Sequence, residues 1–270
     1  MALIAPALLA ADFARLGEAL DVVESAGAPM VHVDVADGHF SPRITVGQPV
    51  VESLRRRTRL ALDVHLLIER PERYAAQFVE AGADRLTVHP ESTPQLHRVL
   101  ESIRACGAKV GLALNPATAV SSVVDVLGDV DSLTVLCGDS VTDLGQPPMR
   151  RRRDQSAETA PNDRQGCDSP ARLDTRQNNR TAENRGKASQ GTIATMPFSA
   201  SLAKIRAAVR ARQEQGLTFA IVAEAGVTIE NCRELVAAGA DILVAGSAIF
   251  HTDNPKARLE ELIRLAAGEW

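Results

Sequence analysis

Short apolar runs alternate with amphipathic stretches along almost the whole chain. The runs lie near residues 3–8, 30–36, 60–67, 85–89, 109–114, 132–137, 218–224 and 241–246, eight in all. Short, nearly continuous apolar runs bounded by turn residues are what strands of a parallel sheet covered on both faces require. Between them, apolar positions recur at helical spacing over 12–26, 71–81, 94–105, 201–215, 228–238 and 255–267, with a shorter helix predicted around 49–56. Pro71, Pro94 and Pro255 stand where a first-turn proline is tolerated. A sub-repeat supports the count. Ala26-Gly27-Ala28-Pro29, Ala81-Gly82-Ala83-Asp84 and Ala238-Gly239-Ala240-Asp241 each close a helix and open a strand, and Cys106-Gly107-Ala108-Lys109 is a looser copy. Eight βα units in this length predict a (β/α)8 TIM barrel over residues 1–270. A doubly wound open sheet is the alternative, but Ala7-Leu8-Leu9-Ala10 is not the glycine-rich turn expected after its first strand.

One stretch breaks the rhythm. Residues 147–195 open on Pro147-Pro148 and four consecutive arginines, Arg150 to Arg153, and continue in polar residues with no aromatic. The stretch carries ten basic and six acidic residues, a net +4, so the remainder of the chain stands at −8 against a total of −4. Such a composition buries too little apolar surface to offset the entropy of ordering it, which predicts a disordered insertion after the sixth strand. The arginine run reads first as a solvated segment and second as a basic patch for nucleic acid or an acidic partner. The overall charge leaves no nucleic-acid footprint. Four scattered cysteines without paired spacing point to a reducing compartment. With no signal-peptide pattern at the start and no membrane-length apolar run, a cytoplasmic setting is expected. A homo-oligomer is left open.

The chemistry gathers at strand ends. In Val31-His32-Val33-Asp34-Val35, side chains two apart share a face, so His32 and Asp34 project together, opposite the valines. Leu62-Asp63-Val64-His65-Leu66 repeats the device with Asp63 and His65. Glu224 ends the seventh strand. A His and a carboxylate on the inner face of a buried strand need a partner or a metal. His32, Asp34, His65 and Glu224 together make a set for one divalent ion, zinc, manganese or iron. His89, by contrast, reads as a hydrogen-bonded core residue. Strands seven and eight commonly build a phosphate site in such barrels, which nominates Gly226, Gly246 and Ser247.

Several segments, taken as a set, resemble the ribulose-phosphate 3-epimerase family. They are Leu9-Ala10-Ala11-Asp12-Phe13, the run His32 to Phe40, Leu62 to Leu66, Thr87-Val88-His89, Ala113 to Thr118 and Val244 to Ala248. The resemblance implies a (β/α)8 barrel that interconverts ribulose 5-phosphate and xylulose 5-phosphate at carbon 3. It places His32, Asp34 and His65 at metal positions, makes Asp34 and Glu224 the acid/base pair, and puts His65 against a small sugar-phosphate substrate. Departures from the family pattern are visible. Glu224-Ala225-Gly226 stands where the family has Asp-Gly-Gly, Ala7 replaces an early serine, and site methionines appear as Ala36, Leu67 and Leu136. After strand six, Asp139 to Gln146 replaces a glycine-rich loop. These departures support an alternative, a non-catalytic descendant that binds a sugar phosphate or a partner protein.

Overall fold

Parity along the strands decides the architecture. A computed structural model describes residues 1–138 and 197–269. Eight strands form one parallel sheet: β1 Leu3–Pro6, β2 Met30–Ala36, β3 Ala61–Leu67, β4 Arg85–Val88, β5 Lys109–Leu114, β6 Ser132–Leu136, β7 Ala220–Glu224 and β8 Ile242–Ala245. The strand order β1-β8-β7-β6-β5-β4-β3-β2, with a parallel bridge between Ala7 and His32, closes the sheet into a barrel. All eight predicted strands are present.

Along each strand alternate residues face the helices. Val31, Val33, Val35, Leu62, Val64, Leu66, Leu86 and Val88 belong to the large apolar layer between sheet and helices. The opposite parity lines the lumen, where Ala5, Ala7, Met30, Val222, Ile242 and Val244 pack on one another. His32, Asp34, His65 and Glu224 share that parity, so the strands aim all four inward.

The outer helices are α1 Leu16–Ser25, α2 Gln48–Arg57, α3 Ala75–Glu80, α4 Leu96–Ala105, α5 Phe198–Glu214, α6 Ile229–Ala238, α7 Ser247–Phe250 and α8 Pro255–Ala267. Pro71 and Pro255 do sit in a first helical turn, but Pro94 lies two residues before α4. Between β5 and β6 the chain forms a 3-10 helix, Val120–Asp129, which is not among the expected helices although Val120, Val123, Val124 and Leu127 stand at helical spacing. Its β-branched valines are poor α-formers.

The Ala-Gly-Ala-Asp repeat has a structural use. Gly239 ends α6 with φ +108°, and a side chain there would run into Val209. The following Asp241 ties three strands at the N-terminal rim. Its side chain accepts from Ile221 N (2.8 Å), its N–H donates to Ile221 O (2.7 Å), and its carbonyl accepts from Leu3 N (2.9 Å). Asp84 does the same with Leu62 and Lys109, and Asp131 with Val110 and Ala220. Arg55, Arg104 and Arg212 pair with these carboxylates from the helices. The insertion expected at 147–195 and the loop from Asp139 to Gln146 lie outside the described residues.

Candidate metal and proton-transfer site

At the C-terminal end of the lumen the four inward groups meet. One ligand atom from each of His32, Asp34, His65 and Glu224 lies within 4.8 Å of all the others. Every one is buried, with relative exposures of 1%, 4%, 0% and 2%. His32 Nε2 stands 3.2 Å from Asp34 Oδ1 and 3.5 Å from Glu224 Oε2. His65 Nδ1 stands 3.1 Å from Glu224 Oε1 and 3.4 Å from Asp34 Oδ1. Each carboxylate therefore bridges both imidazoles, although β2 and β7 are separated by β1 and β8.

Burial disfavours a charged imidazole at both positions. For His32, Asp34 and Glu224 outweigh that penalty and hold the group well above its ordinary value. For His65 the same carboxylates raise the group to about 9. Asp34 is driven the other way: burial would raise its pKa, but His32 and His65 overcome it and keep it ionised. The cluster thus holds protons at two nitrogens that a cation would displace. It also holds an orphan. Glu224 Oε2 is buried with no hydrogen-bond partner, which is costly unless something fills the gap. Two imidazole nitrogens, two carboxylates and an unsatisfied oxygen converging at this range fit a divalent cation.

The groups that back the two imidazoles were not legible from the strand patterns. Asp63 Oδ2 accepts from His32 Nδ1 at 3.1 Å, with Arg85 3.6 Å behind it. Asp63 shares the face of His65 and pairs in register with His32. The signal lay in combining parity with register, and register is not written in one strand. His89 is fully buried, as a core histidine should be, and its Nε2 lies 2.8 Å from His65 Nε2. Phe40 packs against the His89 ring and against Ala36 and Leu67, so these two positions, methionines in the family pattern, form part of an apolar wall. Asp37 latches two loops: its carboxylate accepts from the N–H groups of His39, Phe40 and Glu69. Lys204 of α5 donates to the carbonyls of Asn115 and Pro116, both at 2.8 Å, pinning the loop after β5.

The residues nominated for phosphate stand just after β7 and β8. Gly226 follows β7 with φ +70°, and it is preceded by Ala225 at φ +69°, a left-handed conformation without the freedom of glycine. Gly246 lies between β8 and α7, close enough to Ala7 and Ala10 that a side chain would crowd both. Ser247 opens α7, half-buried.

Comparison with known proteins agrees with this geometry. The profile of the Ribulose-phosphate 3 epimerase family matches residues 3–146 and 192–250, so the match breaks across most of the 147–195 stretch. The ribulose-phosphate 3-epimerase of Bacillus subtilis is 34% identical over 260 residues, covering 96% of this chain and 97% of that protein. That of Treponema pallidum is 35% identical over 247 residues, covering 92% and 90%. Among solved structures, 3-hexulose-6-phosphate synthase from Salmonella typhimurium superposes with a TM-score of 0.59 at 12% identity, over 99% and 100% of the two chains. KGPDC from Streptococcus mutans gives 0.61, also at 12%, over 100% and 99%. At such identities the likeness speaks for the barrel alone. Identity to the epimerases over nearly the full length places the chain in the ribulose-phosphate 3-epimerase family.

Proposed function

We propose that the chain is a metal-dependent epimerase interconverting ribulose 5-phosphate and xylulose 5-phosphate at carbon 3. The observation that carries this reading is the pair Asp34 and Glu224, which reach one buried point from β2 and β7 and touch the same two imidazoles. Inverting a C–H centre needs a base on one face and an acid on the other. One carboxylate takes the carbon-3 proton, and the other, entering protonated, returns a proton to the opposite face. Glu224 is one methylene longer than the aspartate of the family pattern, and Ala36, smaller than the methionine of that pattern, would give the extra length room.

His32, Asp34, His65 and Glu224 would hold one divalent ion, zinc, manganese or iron. When bound, it supplies positive charge to the substrate oxygens that gain electron density as the proton leaves. His65 would also contact the substrate. Gly226, Gly246 and Ser247 would receive the phosphate through backbone N–H groups. The partner is thus a small sugar phosphate. Among the described residues no helix is long and apolar enough to cross a membrane.

The test is deuterium uptake at carbon 3 of ribulose 5-phosphate in heavy water, with zinc, manganese or iron(II) added or chelated away. Metal-dependent uptake with formation of xylulose 5-phosphate is expected. Binding of ribulose 5-phosphate without uptake under any metal would leave a binding protein rather than an enzyme.

A further inference from the structure

Behind His65 runs a line of polar groups that reaches solvent. His65 Nε2 faces His89 Nε2 at 2.8 Å, with the two rings stacked at 18°. The far nitrogen of His89, Nδ1, has no hydrogen-bond partner at normal range, and Glu91 Oε2 lies 3.4 Å from it. Glu91 Oε1 in turn accepts from the Thr118 hydroxyl. Glu91 is the first member of the line to meet water, with 29% of its side chain exposed, whereas His89 is fully buried.

Only some hydrogen placements satisfy this line. Between two facing nitrogens there is room for one hydrogen. A lone pair on His89 Nδ1 would face a carboxylate oxygen, whereas an N–H there would be attracted to it. With the hydrogen on His89 Nδ1, its Nε2 must accept, and His65 Nε2 must donate. His65 Nδ1 is then the nitrogen left to serve the cluster with Asp34 and Glu224. His32 reaches the same end by a shorter route, since Asp63 takes its Nδ1 hydrogen directly.

We infer that His89 and Glu91 are positioning residues that hold His65 in the form with its hydrogen on Nε2, so that Nδ1 is presented to the cation. The inference rests on the metal reading above, and the groups act only through His65. Outer partners of this kind typically affect metal affinity about ten- to a hundredfold.

Thr118 provides a discriminating test. In Glu91→Gln the amide oxygen keeps the Thr118 hydroxyl, which turns the amide N–H₂ toward His89 Nδ1. That forces the His89 hydrogen onto Nε2, against His65, and favours the wrong form of His65. In Glu91→Gln/Thr118→Val the amide is free to rotate and offer its oxygen to His89 again. The experiment uses the full chain with ¹⁵N-labelled histidine and measures zinc affinity by chelator competition. Above about pH 9, where the metal-free His65 has lost its second hydrogen, we expect His89 in the unmodified chain to carry its hydrogen on Nδ1, and Glu91→Gln to move it to Nε2. Zinc binding should weaken about ten- to a hundredfold in the single variant and recover at least in part in the double.

A purely structural role for Glu91 would make the double variant worse than the single. That result, zinc affinity unchanged in Glu91→Gln, or a His89 hydrogen on Nε2 in the unmodified chain would each overturn the assignment. Failure of the unmodified chain to bind zinc or manganese would overturn the metal reading beneath it instead, because the His89 signal is read without metal.

Discussion

The two ends of the barrel use the same acidic chemistry to opposite purposes. At the N-terminal rim Asp84, Asp131 and Asp241 each accept a backbone N–H, have an arginine nearby, and keep 52%, 37% and 43% of their side chains in contact with water. At the C-terminal mouth Asp34 and Glu224 are dry, with side-chain exposures of 5% and 3%, and share two imidazoles, while Glu224 keeps one oxygen unsatisfied. A partly hydrated, satisfied carboxylate stabilises a fold at little risk. A buried, incompletely satisfied one is costly and persists where a ligand or a reaction uses it. The contrast separates scaffold from site without reference to any relative.

The contrast breaks most sharply by substitution at each end. His65→Ala removes a nitrogen ligand and should lower zinc or manganese affinity by more than about a hundredfold, beyond what loss of an outer partner causes. Circular dichroism should remain unchanged, since the opposite face of β3 is held by Leu62, Val64 and Leu66. Full retention of metal by His65→Ala would remove the site. Asp241→Ala should do the reverse. It leaves Ile221 N–H without its acceptor and Arg212 with the Phe219 carbonyl but no carboxylate, and should cost about 2 kcal/mol in a denaturant titration. Metal affinity should not move, and a parallel loss of metal would show that the two ends are not separable.

Acidity sharpens the same comparison. Burial opposes a charge on His65, but Glu224 and Asp34 raise it from 6.5 to about 9. A group raised on folding contributes stability that is complete below its unfolded pKa and is lost as pH climbs through the folded one. The metal-free chain should therefore lose melting temperature between pH 6.5 and 9, while its metal affinity rises over the same window as the competing proton leaves. Asp241→Ala should keep this pH dependence and His65→Ala should reduce it, His32 supplying what remains. A melting temperature that instead rises from pH 6.5 to 9 would contradict the charged His65.

The smallest effect is at Ala225, which holds φ +69° without being glycine. Ala225→Gly should stabilise the chain by about 1 kcal/mol, since the left-handed conformation costs that much with a Cβ. A destabilised Ala225→Gly would mean that the methyl group packs usefully beside Glu224.

Much of this was legible from residues alone. Strand parity put His32, Asp34 and His65 on one inner face, and the end of the seventh run delivered Glu224 to the same place. The Ala-Gly-Ala-Asp repeat announced the helix ends, although the stitching by Asp84 and Asp241 became visible only with register. Asp63, His89 and Glu91 escaped as a shell because their partners lie on neighbouring strands or loops, at distances in space that one strand's pattern does not encode. The 3-10 helix Val120–Asp129 escaped although Val120, Val123, Val124 and Leu127 fall at i, i+3, i+4 and i+7, because valines are strand formers by propensity.

The central claim is that two carboxylates, one from β2 and one from β7, invert a single carbon between them. Glu224→Gln tests it most directly, because the amide keeps the size of the side chain and cannot transfer a proton. The measurement follows ribulose 5-phosphate in heavy water with metal present and resolves both carbon-3 epimers. The unmodified chain should yield xylulose 5-phosphate deuterated at carbon 3, whereas Glu224→Gln should yield none above background. Xylulose 5-phosphate formed by Glu224→Gln at the rate of the unmodified chain would contradict the two-carboxylate mechanism.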